Sequence, residues 1–411
     1  MSDYSRKIKN NRISKFFTFL LLIILLIAGR EECSRSEERD VSYYLCKKVS
    51  NVELPHGLLW SPDGSEICFR SLGIPVGGKD VYFIRTDTGA IRKIEPLSFL
   101  QGTDPNNKVG ILMMHWSPNG KEIALMVAGI MVDKAFNDII IIDSRNLTLP
   151  KVYPKTSGVW TSVKLDLWNN CWSPDGKKIA FISSSGRNKC ELLVIDSETL
   201  KTIQRYEASL PIYFSGWSSD GEEIYFSDDK RNYSMRLGRS GKRTIEHMKV
   251  PYDNTISPDG DHMLGVSEDG HSLLTMSIDG FDKRVVFSTR DGTIGGMVGD
   301  DLCWSPNGKK VLFTLSFFND SGPLPQETSS SIWMVNFDGT ELLQITSSDV
   351  LFARNPRWSP DGEKIAFFAY FDEGKSKNTA SASAKLTYEE LLKLGEAAYY
   401  NYHICIIKCR N

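Results

Sequence analysis

Two imidazoles and a carboxylate are a minimal donor set for a divalent cation or a proton relay, and His56, His115 and Asp166 are the candidates in this chain. They would act only by converging on one opening. His247, His262, His271 and His403 complete the histidines, and the six give no ring of equivalent ligands. Eight cysteines occur without a C-x-x-C pair or zinc-type spacing. No G-x-S-x-G elbow, P-loop or dinucleotide glycine fingerprint is present. The expectation is therefore no cofactor and no resident metal. Aspartate is plentiful, but its main recurrence has a different cause.

That cause is a short phrase. It reads WSPDG at Trp60, WSPNG at Trp116, WSPDG at Trp172, WSSDG at Trp217, ISPDG at Ile256, WSPNG at Trp304 and WSPDG at Trp358. The spacing is about 50 residues, inside the range of propeller blades. Pro fixes φ at the second position of a tight turn, and Asp or Asn before Gly supplies the remaining conformations. Asp63, Asp175 and Asp361, with Gly64, are thus turn residues rather than catalytic carboxylates. Apolar residues follow at offsets +7 and +9: Ile67/Phe69, Ile123/Leu125, Ile179/Phe181, Ile224/Phe226, Val311/Phe313 and Ile365/Phe367. This period-two pattern marks a strand with a buried face. The fifth copy departs, with Met263 and Gly265 there, and is expected to pack least well. Two more strands follow in a unit, as in 79–85 with IRKIEP, 190–196 with KTIQRY, and 331–339 with ELLQIT.

Four strands per unit make a blade that cannot hide its own apolar faces, so blades must stack around an axis. Trp60, Trp116, Trp172, Trp217, Trp304 and Trp358 are then packing residues between blades, favoured over a ligand-stacking row because they recur at one fixed place. The last unit offers strands near 354–358, 363–369 and 400–408 and lacks a fourth. Residues 41–50 form a spare strand before the first unit. The expected fold is all-β: a seven-bladed propeller of four-stranded antiparallel blades over 41–411, with the N-terminal strand completing the last blade. Cys46 would then face Cys405 and Cys409, and a disulfide there would lock both ends together.

Arg6, Lys7, Lys9, Arg12 and Lys15 precede the apolar run Phe16–Ala28. Thirteen residues are short for a spanning helix and match a secretory signal, with an uncleaved anchor as the alternative. Residues 1–29 are read as signal or anchor and 30–40 as linker. Arg30, Glu31 and Glu32 before Cys33 exclude a lipoprotein signal. The exported part keeps 44 basic and 50 acidic residues, which gives no reason to expect nucleic acid. Membrane contact is expected only through the N-terminal segment. Two segments interrupt the repeat: 317–330, and 371–398. The second carries a helix signal at Thr387, Glu390, Leu386 and Leu391, with Leu391, Leu392 and Leu394 covering the propeller. Both are read as loops on one face, where function often resides.

The stretch Asn355 to Phe367 (NPRWSPDGEKIAF), with IWMVNFDG at 332–339 followed by QIT at 344–346, resembles the TolB-type propeller repeat. The likeness covers about residues 42–411. It implies a blade type shared by periplasmic TolB-like proteins, gating domains of prolyl-oligopeptidase-like peptidases, and some lyases. TolB itself has six blades and an additional N-terminal domain, whereas Cys33 to Asp40 is only a linker here. With no hydrolase domain expected beyond the repeats, the expected role is a non-catalytic protein or peptide scaffold in the cell envelope. The alternatives are an oligosaccharide-cleaving propeller using a divalent metal at His56, His115 and Asp166, or a ligand-binding sensor or transport component.

Overall fold

The computed structural model describes residues 43–48, 55–71, 80–95, 108–131, 134–145, 151–152, 156–157, 171–184, 190–208, 212–228, 231–238, 243–245, 252–279, 281–299, 301–319, 326–346, 350–371 and 403–409. In chain order, β1 (Tyr43–Lys48) precedes a first sheet of β2 (Pro55–Trp60), β3 (Glu66–Ser71), β4 (Val81–Arg85) and β5 (Ile91–Ile94). The second sheet holds β6 (Lys108–Trp116), β7 (Glu122–Met131) and β8 (Lys134–Asp143), edged by β9 (Lys151–Val152) and β10 (Thr156–Ser157). The third holds β11 (Lys178–Ser184), β12 (Cys190–Asp196) and β13 (Thr202–Ala208). The fourth is β14 (Ile212–Trp217), β15 (Glu223–Asp228), β16 (Asn232–Arg236) and β17 (Arg243–Ile245). The fifth is β18 (Tyr252–Ile256), β19 (His262–Val266), β20 (Ser272–Ser277) and β21 (Arg284–Ser288). The sixth has β22 (Met297–Val298), β23 (Cys303–Trp304), β24 (Lys310–Asn319), β25 (Gln326–Asn336) and β26 (Leu343–Gln344). The last has β27 (Val350–Trp358), β28 (Lys364–Phe371) and β29 (His403–Lys408), with β1 at its far edge in the order β1-β29-β28-β27.

All these pairings are antiparallel, and β1 lies on β29 with Cys46 opposite Cys405. The described strands depart from uniform four-stranded units in three places, the first being the second sheet, whose outer place is split into β9 and β10, both on β8. In the third sheet, only Trp172, bridged to Ile179, stands where a first strand would run. In the sixth, the first strand is split into β22 and β23, both on β24. A Cβ at Gly296 would lie 2.8 Å from the Ser316 carbonyl, so only glycine lets the chain approach there, at φ 98°. The 317–330 segment is also not simply a loop. β24 and β25 stay paired out to Asn319 opposite Gln326, because a hairpin ladder continues as long as its backbone groups find partners.

Each turn phrase closes the same way. The Ser61 hydroxyl donates to Asp63 at 2.6 Å, the Ser65 amide donates to the same oxygen, and the Glu66 amide donates to Ser61 Oγ at 2.9 Å. Ser173 with Asp175 and Ser359 with Asp361 repeat it. Successive turns also touch. A Cβ added to Gly120, Gly176, Gly221, Gly308 or Gly362 would lie within 4 Å of Pro62, Pro118, Pro174, Pro258 or Pro306, and one at Gly64 within 4 Å of Pro360.

The core lies between sheets. Phe69 meets Phe368 edge-on at 5.7 Å, Phe83 meets Trp116 at 6.0 Å, and Phe287 meets Phe313 at 5.0 Å. Fully burying each such side chain is worth about 1.5–3 kcal/mol. The fifth sheet buries Met263, Leu264 and Val266, but it also carries the most exposed large apolar side chains, Phe281 at 57% and Val285 at 61%. Among the described residues no helix is long and apolar enough to cross a membrane. The N-terminal segment 1–42 and the helix signal within 371–398 lie outside the described residues.

Candidate functional site

The repeated tryptophans are buried, and most spend their indole N–H on a neighbouring sheet. Trp172 donates to the His115 carbonyl at 3.1 Å, Trp217 to Cys171 at 3.1 Å, Trp304 to Thr255 at 3.4 Å, and Trp60 to Arg357 at 3.0 Å. Each acceptor immediately precedes the motif position of the preceding unit. Trp116 instead donates to Cys68 Sγ. Burial pushes the Cys68 and Cys171 thiols up to about 12, so both are inert packing groups. Trp358 is buried as well.

The turn carboxylates are equally committed. Hydrogen bonds from Ser61 and from the Ser65 amide hold Asp63 below the usual carboxylate range, and the Ser359 bond does the same for Asp361. For Asp175, burial opposes the shift but the Ser173 bond and nearby lysines prevail.

Of the candidate metal set, only the two histidines fall among the described residues. His56 lies on β2 and His115 is buried on β6, while Asp166 is outside the described residues. Among the described residues no three His, Cys, Asp or Glu side chains group to hold a metal ion.

His56 instead belongs to a cationic cluster where the first and last sheets meet. It stands opposite Arg70 in the β2–β3 register. Burial, then the fields of Arg70, Arg357 and Arg354, hold its imidazole well below 6.5, so it is neutral at neutral pH. Both first strands bulge here, β2 between His56 and Leu59 and β27 between Arg354 and Arg357. Bulges of this kind re-aim side chains. Each contains a left-handed residue, Gly57 at φ 69° and Asn355 at φ 52°. The Gly57 amide donates to Asn355 Oδ1 at 3.2 Å. Asn355 in turn donates its backbone N–H, at 3.0 Å, and its side-chain N–H to Asp301, which emerges from the break between β22 and β23. Three sheets are thereby fastened through one asparagine.

The charges are not evenly matched. Glu327, on the extended β25 arm, pairs with Arg354. Asp301 is taken by Asn355. Arg357 donates to the Pro356 carbonyl at 2.8 Å. Arg70 is 5% exposed, and among the described residues its guanidinium makes one hydrogen bond, a long 3.5 Å contact to the Ser71 carbonyl. Among the described residues no carboxylate pairs with it. Burial alone pulls its guanidinium down to about 10.

Of these residues only His56 was marked by sequence as a candidate. The overlooked signal is positional. Ten residues after the motif site the units carry Arg70, Met126, Ile182, Ser227, Val266, Thr314 and Phe368. A lone arginine at a site otherwise small or apolar breaks the repeat for a reason.

No family model matches the chain. An uncharacterized protein of Agrobacterium fabrum is 27% identical over 210 residues, covering 48% of this chain and 68% of that one. Oligogalacturonate lyase in complex with manganese superposes with a TM-score of 0.54 at 10% identity, over 90% of this chain and 95% of that one. The β-propeller domain of the trilobed protease of Pyrococcus furiosus gives 0.51 at 16% identity, over 78% and 92%. TolB from Acinetobacter baumannii gives 0.44 at 16%, over 76% of this chain and 66% of its own, so the chain spans just under two thirds of that protein. The chain has a β-propeller fold of several small antiparallel sheets, structurally similar to TolB propellers and to other propeller proteins.

Proposed function

We propose that the chain is a seven-bladed propeller, closed by β1 in the last blade, that works outside the cytoplasm as a non-catalytic protein- or peptide-binding scaffold. One observation carries the binding reading. The repeated polar side chains are used up in turns and inter-sheet bonds, while one unrepeated polar cluster gathers on the first strands at the junction of the first and last sheets. Closure is supported by β1 on β29 and by Trp60 reaching the Arg357 carbonyl. A Cys46–Cys405 bridge would reinforce it, since the two are register partners in the β1–β29 pairing. Export rests on the signal-like segment 1–29 and is tested by following the processed chain in fractionated cells.

The rival reading is a lyase-type enzyme, favoured by the superposition on the manganese-bound oligogalacturonate lyase. Assaying the exported chain on oligogalacturonate with and without manganese separates the two. The scaffold reading expects no unsaturated product under either condition; manganese-dependent turnover would overturn it. In parallel, the chain and a variant lacking 371–398 are used to capture envelope proteins. A retained partner set in the deletion would move the binding face away from that insertion.

A further inference from the structure

Resting on that scaffold reading, we propose that Arg70 and Arg357, rimmed by Arg354, form a receptor for a carboxylate on an acidic peptide partner. Four observations converge. Arg70 is buried on β3, and an ideal Cβ at Gly57 would lie 3.9 Å from its Nε, so the guanidinium lies alongside the β2 bulge. The two acidic groups of the cluster are already engaged, Glu327 by Arg354 and Asp301 by Asn355. Arg357 spends one N–H on its neighbour's carbonyl and has others to give. The imidazole beside them is neutral and adds no competing charge.

A buried guanidinium to which no described carboxylate gives a counter-charge is costly, and an incoming anion would offset that cost. The guanidinium fork matches a carboxylate's two oxygens in one plane. A peptide is favoured over an acidic sugar because sugar rings are gripped on open aromatic faces, and Trp60 and Phe69 beside the cluster are buried. Trp60 is spent on Arg357, and Phe69 is stacked on Tyr82 and edged by Phe368.

The test is fluorescence anisotropy of the full exported chain with labelled hexa-glutamate, labelled hexa-glutamine as the neutral control, and trigalacturonate as competitor. Arg70→Met, Arg70→Lys and Arg357→Gln are compared with wild type, each first shown to unfold cooperatively in urea. Hexa-glutamate should bind at least about tenfold tighter than hexa-glutamine, a gap of about 1.4 kcal/mol. Arg70→Met should lose at least tenfold, and Arg70→Lys should recover only part, since it keeps charge but not the fork. Binding that Arg70→Met leaves unchanged, or failure of wild type to bind hexa-glutamate, overturns the carboxylate receptor. Equal binding of both peptides also overturns it while leaving the scaffold reading standing. Tighter, Arg70-dependent binding of trigalacturonate assigns the arginines to a sugar and overturns the peptide. Turnover of that sugar, in contrast, sinks the scaffold reading itself.

Discussion

The turn face and the junction cluster use charge in opposite ways. At the turns, Asp63, Asp175 and Asp361 each accept from a serine hydroxyl and a backbone amide, and the arrangement recurs around the fold. At the junction, the buried Arg70 guanidinium makes one long contact to a carbonyl among the described residues, and no other unit has an arginine at its position. Repeated charge in a repeat protein is structural, because every unit must make the same turn. Unrepeated charge is not needed by the unit, so it points to what the assembly does.

Substitutions at the junction should sharpen that contrast most. Asn355→Ala removes the side-chain bonds to Gly57 and to Asp301 Oδ1 and leaves the buried Asp301 carboxylate with only the backbone N–H of residue 355. A loss of about 2–4 kcal/mol is expected, read from urea midpoints. The loss should shrink in Asn355→Ala combined with Asp301→Ala, because no orphan charge remains. Trp60→Phe deletes one inter-sheet bond and leaves the Arg357 carbonyl unsatisfied, for an expected loss of about 1–3 kcal/mol. A turn change such as Asp361→Ala should cost less, about 0.5–1.5 kcal/mol, and about as much at Asp63 or Asp175. Unequal turn losses would break the claim that the turns are interchangeable.

The pH dependence separates the regions again, with smaller effects. His56 is held below its unfolded value near 6.5, so between its folded value and about 6.5 the unfolded chain binds a proton the fold refuses. Stability should therefore fall as pH drops below about 6.5, and His56→Gln should flatten that limb. The turn aspartates are also held below their unfolded value of 3.8. Their contribution is present above about 3.8 and is lost as pH falls through their folded values. Urea midpoints at about pH 7, 5 and 3 resolve the two windows. A single acid transition unaffected by His56→Gln would contradict the assignment.

Much of the architecture could be read from the chain because turn chemistry and period-two alternation are local properties. Trp60, Pro62, Asp63 and Gly64 announce a turn wherever they occur, and Ile67/Phe69 announce the strand after it. The pairing of β24 and β25 through 317–330 was less visible, since Ser-rich strand arms such as Gln326–Asn336 have no apolar alternation at their start. The junction cluster was hidden for another reason. Arg70, Asp301, Glu327 and Asn355 are far apart in sequence and meet only when the first sheet meets the last two. His56 was noticed as a possible channel-mouth residue; the arginines around it could not be read from its own segment. The fifth unit was expected to pack least well; its second strand, β19, buries Met263 and Leu264. Its irregularity lies in Phe281 and Val285 on the outer hairpin.

Thermal unfolding of Arg70→Met beside wild type, without ligand, reaches the heart of the contrast. If the guanidinium is reserved for a partner, replacing it with an uncharged chain of similar length removes a buried, uncompensated charge. The melting temperature should then stay level or rise by about 2 °C or more. A clear fall would mean that Arg70 already has its counter-charge within the fold, and the junction would be one more structural joint.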